Sequence, residues 1–457
     1  MVRHLTATVW RLPLLAALAA SLPVLAQTKP AAPPPAPAVL FENVRVFDGK
    51  SDRLSAPSNV LVVGNVIRRV STGAIEPPAG STLTRVAGNG RTLMPGLIDG
   101  HTHIMFADIP QIAALTADIG FVQLAAGKAA TDSLMRGFTT LRDMGGPAFG
   151  LKRAIDVGIL PGPRIWPSGA MISQSGGHAD FRLPTEMPAA PGDFSYTSRV
   201  NAAIVADGVP DVLKRVREQL ALGASQIKLT AGGGVSSVFD PLDVTQFSPD
   251  ELRAAVNAAE NWGTYVGVHA YTPRAIRAAV DAGVRVIEHA TMMDEATAKL
   301  MAEKGTWVVL QPFLDDEDAT PFAPGSANRA KQLQMFSGTD TSYKLAKQYR
   351  LKAGWGTDTL FDAKIAARQA MQLTKLTRWY TPAEVLQIAT RVNGELLALS
   401  GLRSPYPGKL GVVEEGALAD LLLVEGDPIA NIKLIEDPAR NFVVIMKDGR
   451  IYKNTVK

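Results

Sequence analysis

The chain has 457 residues, of which 46% are apolar and 20% charged, with no cysteine and a formal charge of +4. That length and apolar fraction suit a large globular enzyme with an accessory domain, and they exclude a disordered or fibrous chain. The charge is too small to mark a nucleic-acid or anionic-membrane partner, and without cysteine any metal ligand must be His, Asp, Glu or Lys.

Residues 1–26 read as a secretory signal. Arg3 and Arg11 supply the basic end and half of the net charge, Leu12 to Leu25 is mostly apolar, and Val24-Leu25-Ala26 offers a small-residue cleavage site. The alternative is a membrane anchor, but the run is short and carries Pro13 and Pro23. The mature protein is therefore expected to be exported, periplasmic or secreted, and free of the membrane. Residues 27–38 form a Pro/Ala-rich tether. Residues 39–92 are short β-type runs, including a Gly64-Asn65 hairpin signal between Val60 and Ile67. Residues 401–457 resume that style in Gly416–Val424 and Phe442–Ile451. Both ends together predict one small β-sandwich domain.

Between 93 and 400 strands alternate with helices. Strands are expected near 93–99, 139–144, 164–169, 226–231, 264–270, 285–290, 306–311 and 352–358, and helices over 211–222, 249–261, 273–282 and 296–303. Ser248-Pro249-Asp250-Glu251 and Thr381-Pro382-Ala383-Glu384 are capping boxes with Pro at the first helical position. Eight βα units in series predict an α/β fold, a (β/α)8 TIM-like barrel. The alternative is an open doubly wound sheet, but no Gly-x-Gly-x-x-Gly follows the first strand. The long excursions 171–208 and 313–350 read as lids or substrate walls.

In such a barrel the chemistry lies at the carboxyl ends of the strands. Those ends carry His101 and His103 after the first strand, Lys228 in the fourth, His269 in the fifth, His289 in the sixth and Asp358 in the eighth. His101 and His103, two apart on an extended segment, project to the same side. Imidazole and carboxylate suit Zn²⁺, with Mn²⁺ or Co²⁺ as alternatives, and the set suffices for two ions about 3.5–4 Å apart sharing a hydroxide. Lys228 stands in a strand expected to be buried on both faces, where an ammonium is costly. It is either paired with a buried carboxylate or converted by carbon dioxide to a carbamate that bridges the metals. Asp358 is either a helix N-cap or a ligand that takes the proton of the bridging water. His269 and His289 could each be a core histidine, but as a pair one βα unit apart they read as ligands. His178, in the loop after the third strand, reads as a substrate-binding or oxyanion-stabilising group. Tyr271 could donate its hydroxyl to substrate. Arg182 could meet a substrate carboxylate, with surface solvation as its alternative. Gly232-Gly233-Gly234 lacks the Gly-Lys-Ser/Thr ending of a phosphate loop and reads as a close-approach loop.

The run Pro95–His103, followed in order by Lys228, His269, His289 and Asp358, resembles the binuclear pattern of the amidohydrolase superfamily. Gly411–Leu421 with Gly426-Asp427-Pro428 resembles its C-terminal β-signature, so the likeness spans nearly the whole mature chain. Ser173–His178 and Ile227–Val235 resemble the imidazolonepropionase-related, prolidase-like branch. Trp166–Ala170 and Gln311–Asp318 are similar to bacterial amidohydrolases that hydrolyse ochratoxin A. Gly100 departs from many relatives, which place a larger residue there. The resemblance implies a metal-bound carboxylated Lys228 and a homo-oligomer. It also implies amide hydrolysis of N-acyl amino acids or peptides with a free carboxylate, carboxypeptidase- or dipeptidase-like, with ochratoxin A cut to ochratoxin alpha and phenylalanine. Cyclic-amide or lactone hydrolysis on the same metals is the enzymatic alternative, and a non-catalytic binding scaffold is the other.

Overall fold

The computed structural model describes residues 36–187, 193–237 and 239–456. The leader and the tether before Ala36 lie outside the described residues. Among the described residues no helix is long and apolar enough to cross a membrane.

The expected strand at 93–99 is two strands. Thr92–Pro95 pairs antiparallel with Leu421–Val424, while Leu97–Thr102 pairs parallel with Phe138–Asp143. The division falls at Gly96, where a Cβ would come within 2.1 Å of Thr139 Oγ1. Only glycine lets the chain pass so close while its N–H reaches Asp420 O at 2.8 Å. The two ends of the chain then share one eight-stranded mixed sheet. Its order is Arg450–Asn454, Phe442–Lys447, Leu421–Val424, Thr92–Pro95, Ala38–Val46, Ser58–Val63 and Val66–Ser71, with Leu83–Ala87 also on Ala38–Val46. One apolar cluster draws on both termini, with Phe41, Val60 and Leu93 beside Leu421 and Val444.

The middle of the chain builds two parallel sheets. Leu97–Thr102, Phe138–Asp143 and Arg164–Pro167 form one. The other runs Ala203–Val205, Met171–Ser173, Ile227–Thr230, Val266–Ala270, Val286–His289, Trp307–Leu310 and Ala353–Trp355. Most of these strands are buried along their whole length, which is why they read as continuous apolar runs. No ladder pair joins the two sheets among the described residues, yet their edges abut. Asp358 N donates to His101 O at 2.9 Å on one side, and Ser225 N to Pro167 O at 2.8 Å on the other.

Helices fall close to the expected places, at Val209–Leu222, Pro249–Asn261, Pro273–Asp281 and Glu295–Lys304. Both capping boxes form. The excursions hold more structure than their composition suggests. Met171–Ser173 and Ala203–Val205 pair with each other, and Met171–Ser173 joins Ile227–Thr230. The second excursion contains the helices Ala327–Phe336 and Thr339–Gln348.

A buried ion pair ties the third parallel strand to the mixed sheet. Arg164 holds Asp420 through two hydrogen bonds of 2.8 and 3.2 Å, and both side chains are almost fully buried. Asp420→Ala leaves that guanidinium buried with only Asp448 and should lower stability by about 3–5 kcal/mol. Denaturant unfolding of the variant beside wild type checks this, and a difference below ~1 kcal/mol would refute it.

Candidate metal centre

The strand ends bring His101, His103, Lys228, His269, His289 and Asp358 to one place. His101 Nε2 and His103 Nε2 each lie 3.2 Å from Asp358 Oδ1, and His289 Nδ1 lies 3.8 Å from Asp358 Oδ2. The rings of His269 and His289 are 4.7 Å apart, and those of His101 and His289 4.9 Å. Potential ligand atoms of His101, His289 and Asp358 all fall within 4.8 Å of one another.

Partners that can only accept fix three of the imidazoles. His101 Nδ1 donates to Glu288 Oε2 at 2.7 Å, His103 Nδ1 to Gly145 O at 3.0 Å, and His269 Nε2 to Gly233 O at 3.0 Å. In its neutral form each ring therefore has its lone pair on the other nitrogen. Gln311 Oε1 stands 2.7 Å from His289 Nδ1. His101 Nε2 is buried with no hydrogen-bond partner. Two imidazole lone pairs thus converge on one carboxylate oxygen, an arrangement that suits a cation lying among them.

The backbone is bent to reach this arrangement. His289, Ala290 and Asp358 have φ of 75°, 47° and 53°. Such left-handed positions cost on the order of 1–3 kcal/mol each and cluster where function requires them. Thr357 N and Thr357 Oγ1 bond Asp99 at 3.0 and 2.8 Å, which holds the segment before Asp358. Asp358 caps no helix; the following one, Ala363–Ala367, is capped by Asp362.

Charges in the site follow from burial and neighbours. Burial lowers His101, but the carboxylates of Asp358 and Glu288 outweigh it and raise the ring, as expected where positive charge is favoured. Burial drives His289 down to about 3 and His178 down to about 4. Burial raises the Asp358 carboxyl, yet His101 and His289 outweigh it and hold the group well below the usual carboxylate range. Lys228 is 2% exposed, and burial brings its amine down to about 8 despite Glu288 and Asp358. Its ammonium makes no hydrogen bond or ion pair among the described residues, so it is not the paired buried lysine that its strand position also allowed.

His103, Lys228, His269, His289 and Asp358 floor a cavity of about 370 Å³ that His178 and Tyr271 also line. The 313–350 excursion contributes Phe313, Phe322, Met335 and Phe336, and the 171–208 excursion contributes Phe181. Both excursions thus form walls. Arg182 is not brought here. Asp180, two residues away, holds its guanidinium at 2.8 and 2.6 Å, and Ser175 Oγ lies at 3.2 Å, so a local carboxylate has taken the partner expected to be a substrate's.

Of the residues that orient the candidate ligands, Arg142 and Asp143 carry no mark of their own in the sequence. Glu288 also binds Arg142, through hydrogen bonds of 2.8 and 3.2 Å, and Arg142 reaches Tyr265 Oη at 3.0 Å and Gly100 O at 2.9 Å. Asp143 accepts from Ile104 N at 2.8 Å, and burial raises its carboxyl to about 7. A signal for Glu288 exists, since it is an acid inside an otherwise apolar strand next to a strand-end histidine.

Residues 92–456 match the family model described as the amidohydrolase family. Ochratoxinase of Aspergillus niger is 31% identical over 384 residues, covering 79% of this chain and 75% of that protein. A crystal structure of an amidohydrolase is similar with a TM-score of 0.81 at 36% identity, over 92% of this chain and 100% of the other. A prolidase crystallised with N-methylphosphonate-L-proline gives a TM-score of 0.81 at 34% identity with the same coverage.

Glu288→Gln keeps the shape but removes the charge that Arg142 and His101 share. Zinc affinity should fall 10–100-fold, as is typical when an outer partner of a ligand is lost, and stability by about 3–5 kcal/mol. Competitive zinc titration reads the first and thermal unfolding the second. Unchanged affinity would show that Glu288 does not support a ligand.

Proposed function

The chain belongs to the amidohydrolase family and is a hydrolase of amide bonds, and from that premise we propose that it works with two divalent ions, zinc by the chemistry of its ligands. Its substrates are N-acyl amino acids or peptides with a free carboxylate, ochratoxin A among them. The observation that carries this reading is the buried, unpartnered His101 Nε2 facing Asp358. The likeness to A. niger ochratoxinase and to a prolidase supports the substrate class.

His101, His103, His269, His289 and Asp358 would hold the ions, with Lys228 completing the set as a carbamate. Such ions, when bound, polarise an amide carbonyl and make hydroxide available near neutral pH. Lys228 is suited to carbamate formation, because burial brings its amine down to about 8 and it makes no hydrogen bond or ion pair among the described residues. Asp358 takes the proton of the attacking water and returns it to the leaving amine. Burial raises the Tyr271 phenol well above its ordinary range, so it stays protonated and donates to the oxyanion. His178 orients the substrate. Phe313, Phe322 and Phe336 offer an aromatic group a dry wall. Lys375, held 2.7 Å from both oxygens of Asp316, is the cation of the cavity lining outside the ligand set among the described residues.

The same reading extends to the whole chain. The abutting parallel sheets make one closed (β/α)8 barrel, and the mixed sheet from both termini is the small sandwich. Residues 1–26 direct export to the periplasm or beyond, and the mature protein is a homo-oligomer with neither nucleic acid nor membrane as partner.

Zinc-loaded enzyme should release phenylalanine from ochratoxin A, and Asp358→Asn should slow release by ~10²–10⁴-fold, the usual loss with a general base. Chromatography of the products, with metal content measured alongside, decides. Full activity in the variant would overturn the assignment of Asp358. No release from zinc-loaded wild type would move the substrate to dipeptides.

Metal-free enzyme should regain activity with zinc only when bicarbonate is present, and faster at pH 8 than at pH 7. With the Lys228 amine at about 8, the neutral fraction rises with pH, from about one-tenth at pH 7 to about half at pH 8. Recovery independent of bicarbonate would sink the carbamate.

A further inference from the structure

Behind His178 lies a hydrogen-bonded chain that the ligand set does not use. The Asp240 carboxylate accepts the hydroxyl proton of Ser237 at Oδ1. At Oδ2 it accepts Gly234 N at 2.7 Å and Gln246 Nε2 at 3.4 Å. Ser237 and Asp240 are each 2% exposed. A hydroxyl has one proton to give. Ser237 gives it to Asp240, so its Oγ, 2.8 Å from His178 Nδ1, can only accept there. His178 therefore carries a proton on Nδ1, so in the neutral ring the lone pair is at Nε2.

The surroundings hold the ring in this attitude. Its Nδ1 edge packs on Gly234, where a Cβ would stand 2.0 Å from Nδ1. The backbone N–H of His178 donates to Gln246 Oε1 at 2.9 Å. The ring stacks on His269 at 4.1 Å between centroids. From the other excursion, Lys331 Nζ donates to Asp240 O at 2.7 Å, Ser237 O at 3.1 Å and Gly234 O at 3.3 Å, clamping the loop. Nε2 makes no hydrogen bond among the described residues, and His178 lines the cavity.

We propose that Ser237 and Asp240 are positioning residues that hold His178 with Nε2 as hydrogen-bond acceptor for the N–H of the scissile amide. The proposal rests on the amide-hydrolase reading above and narrows its substrates. A neutral ring held so cannot serve the oxyanion, which needs donors, and that role falls to Tyr271. A prolyl or N-methyl amide has no N–H and leaves the acceptor unmet, so secondary amides are favoured.

The test compares an N-acyl-phenylalanine with its N-methyl counterpart on the zinc-loaded full chain. Wild type should favour the N–H substrate in kcat/KM by at least about 10-fold. In Asp240→Asn the new amide N–H can donate to Ser237, which reverses the chain and moves the imidazole proton to Nε2. The preference should then collapse toward unity, chiefly by loss on the N–H substrate. Ser237→Thr should retain the preference and Ser237→Ala should lose it. Nitrogen-15 NMR of histidine-labelled enzyme, with His178 assigned through His178→Gln, reads the tautomer directly: Nδ1–H in wild type and Nε2–H in Asp240→Asn. No preference in wild type, or an equal fall on both substrates with an unchanged tautomer, would overturn the proposal. A wild type that cleaves neither amide but shows the tautomer and its reversal would uphold the relay and overturn the amide-hydrolase reading instead.

Discussion

His101, Glu288 and Arg142 form a fully buried series in which Glu288 accepts from both His101 and Arg142, and each nitrogen of the guanidinium has an acceptor. Burying such groups is costly, and it is tolerated only when the geometry is complete. The residues come from separate strands. Arg142 lies on Phe138–Asp143, Glu288 on Val286–His289, and Arg142 reaches Gly100 O on Leu97–Thr102 and Tyr265 just before Val266–Ala270. The network thus fastens the three-stranded sheet to the seven-stranded one through the interior, where no ladder bond does so among the described residues. It also sets which nitrogen of His101 is free. The contact between the two sheets and the setting of the His101 ring depend on the same few side chains, so neither can be altered alone.

The candidate ligands are legible because their signals are local. His101 and His103 sit two apart at the end of an apolar run, and His269 and His289 each close a run one unit after the other. Lys228 is the charged residue of Gln226–Thr230, and it is buried with no hydrogen bond or ion pair among the described residues. Helix ends were legible for the same reason, since Ser248 and Glu251, or Thr381 and Glu384, cap within one turn. Pro95-Gly96 falls inside one expected strand, 93–99. It is a change of sheet, and what shows this is the closeness of Thr139 and Asp420, neither of them near Gly96 in sequence.

What stayed hidden depends on distance along the chain. Glu288 meets His101 across 187 residues and Gln246 meets His178 across 68, so nothing beside either histidine announces its partner. Arg182 failed in the opposite sense. Its expected partner is a substrate carboxylate or solvent, whereas a carboxylate two positions away holds it. The helix Ala327–Phe336 buries little more than Gln332 and Met335, so its apolar period is faint, although its Lys331 organises the loop behind His178.

The mixed sheet has a consequence for how the chain is made. Thr92–Pro95 lies between Ala38–Val46 and Leu421–Val424. One of its edges therefore has no neighbour until Leu421–Val424 has left the ribosome. Leu93 and Met94, fully buried in the finished fold, must wait that long for cover on that side. An open apolar edge of this kind invites pairing with other chains. The nascent form is accordingly more aggregation-prone than the finished one, and loss of the last strands to premature termination would leave that edge open for good.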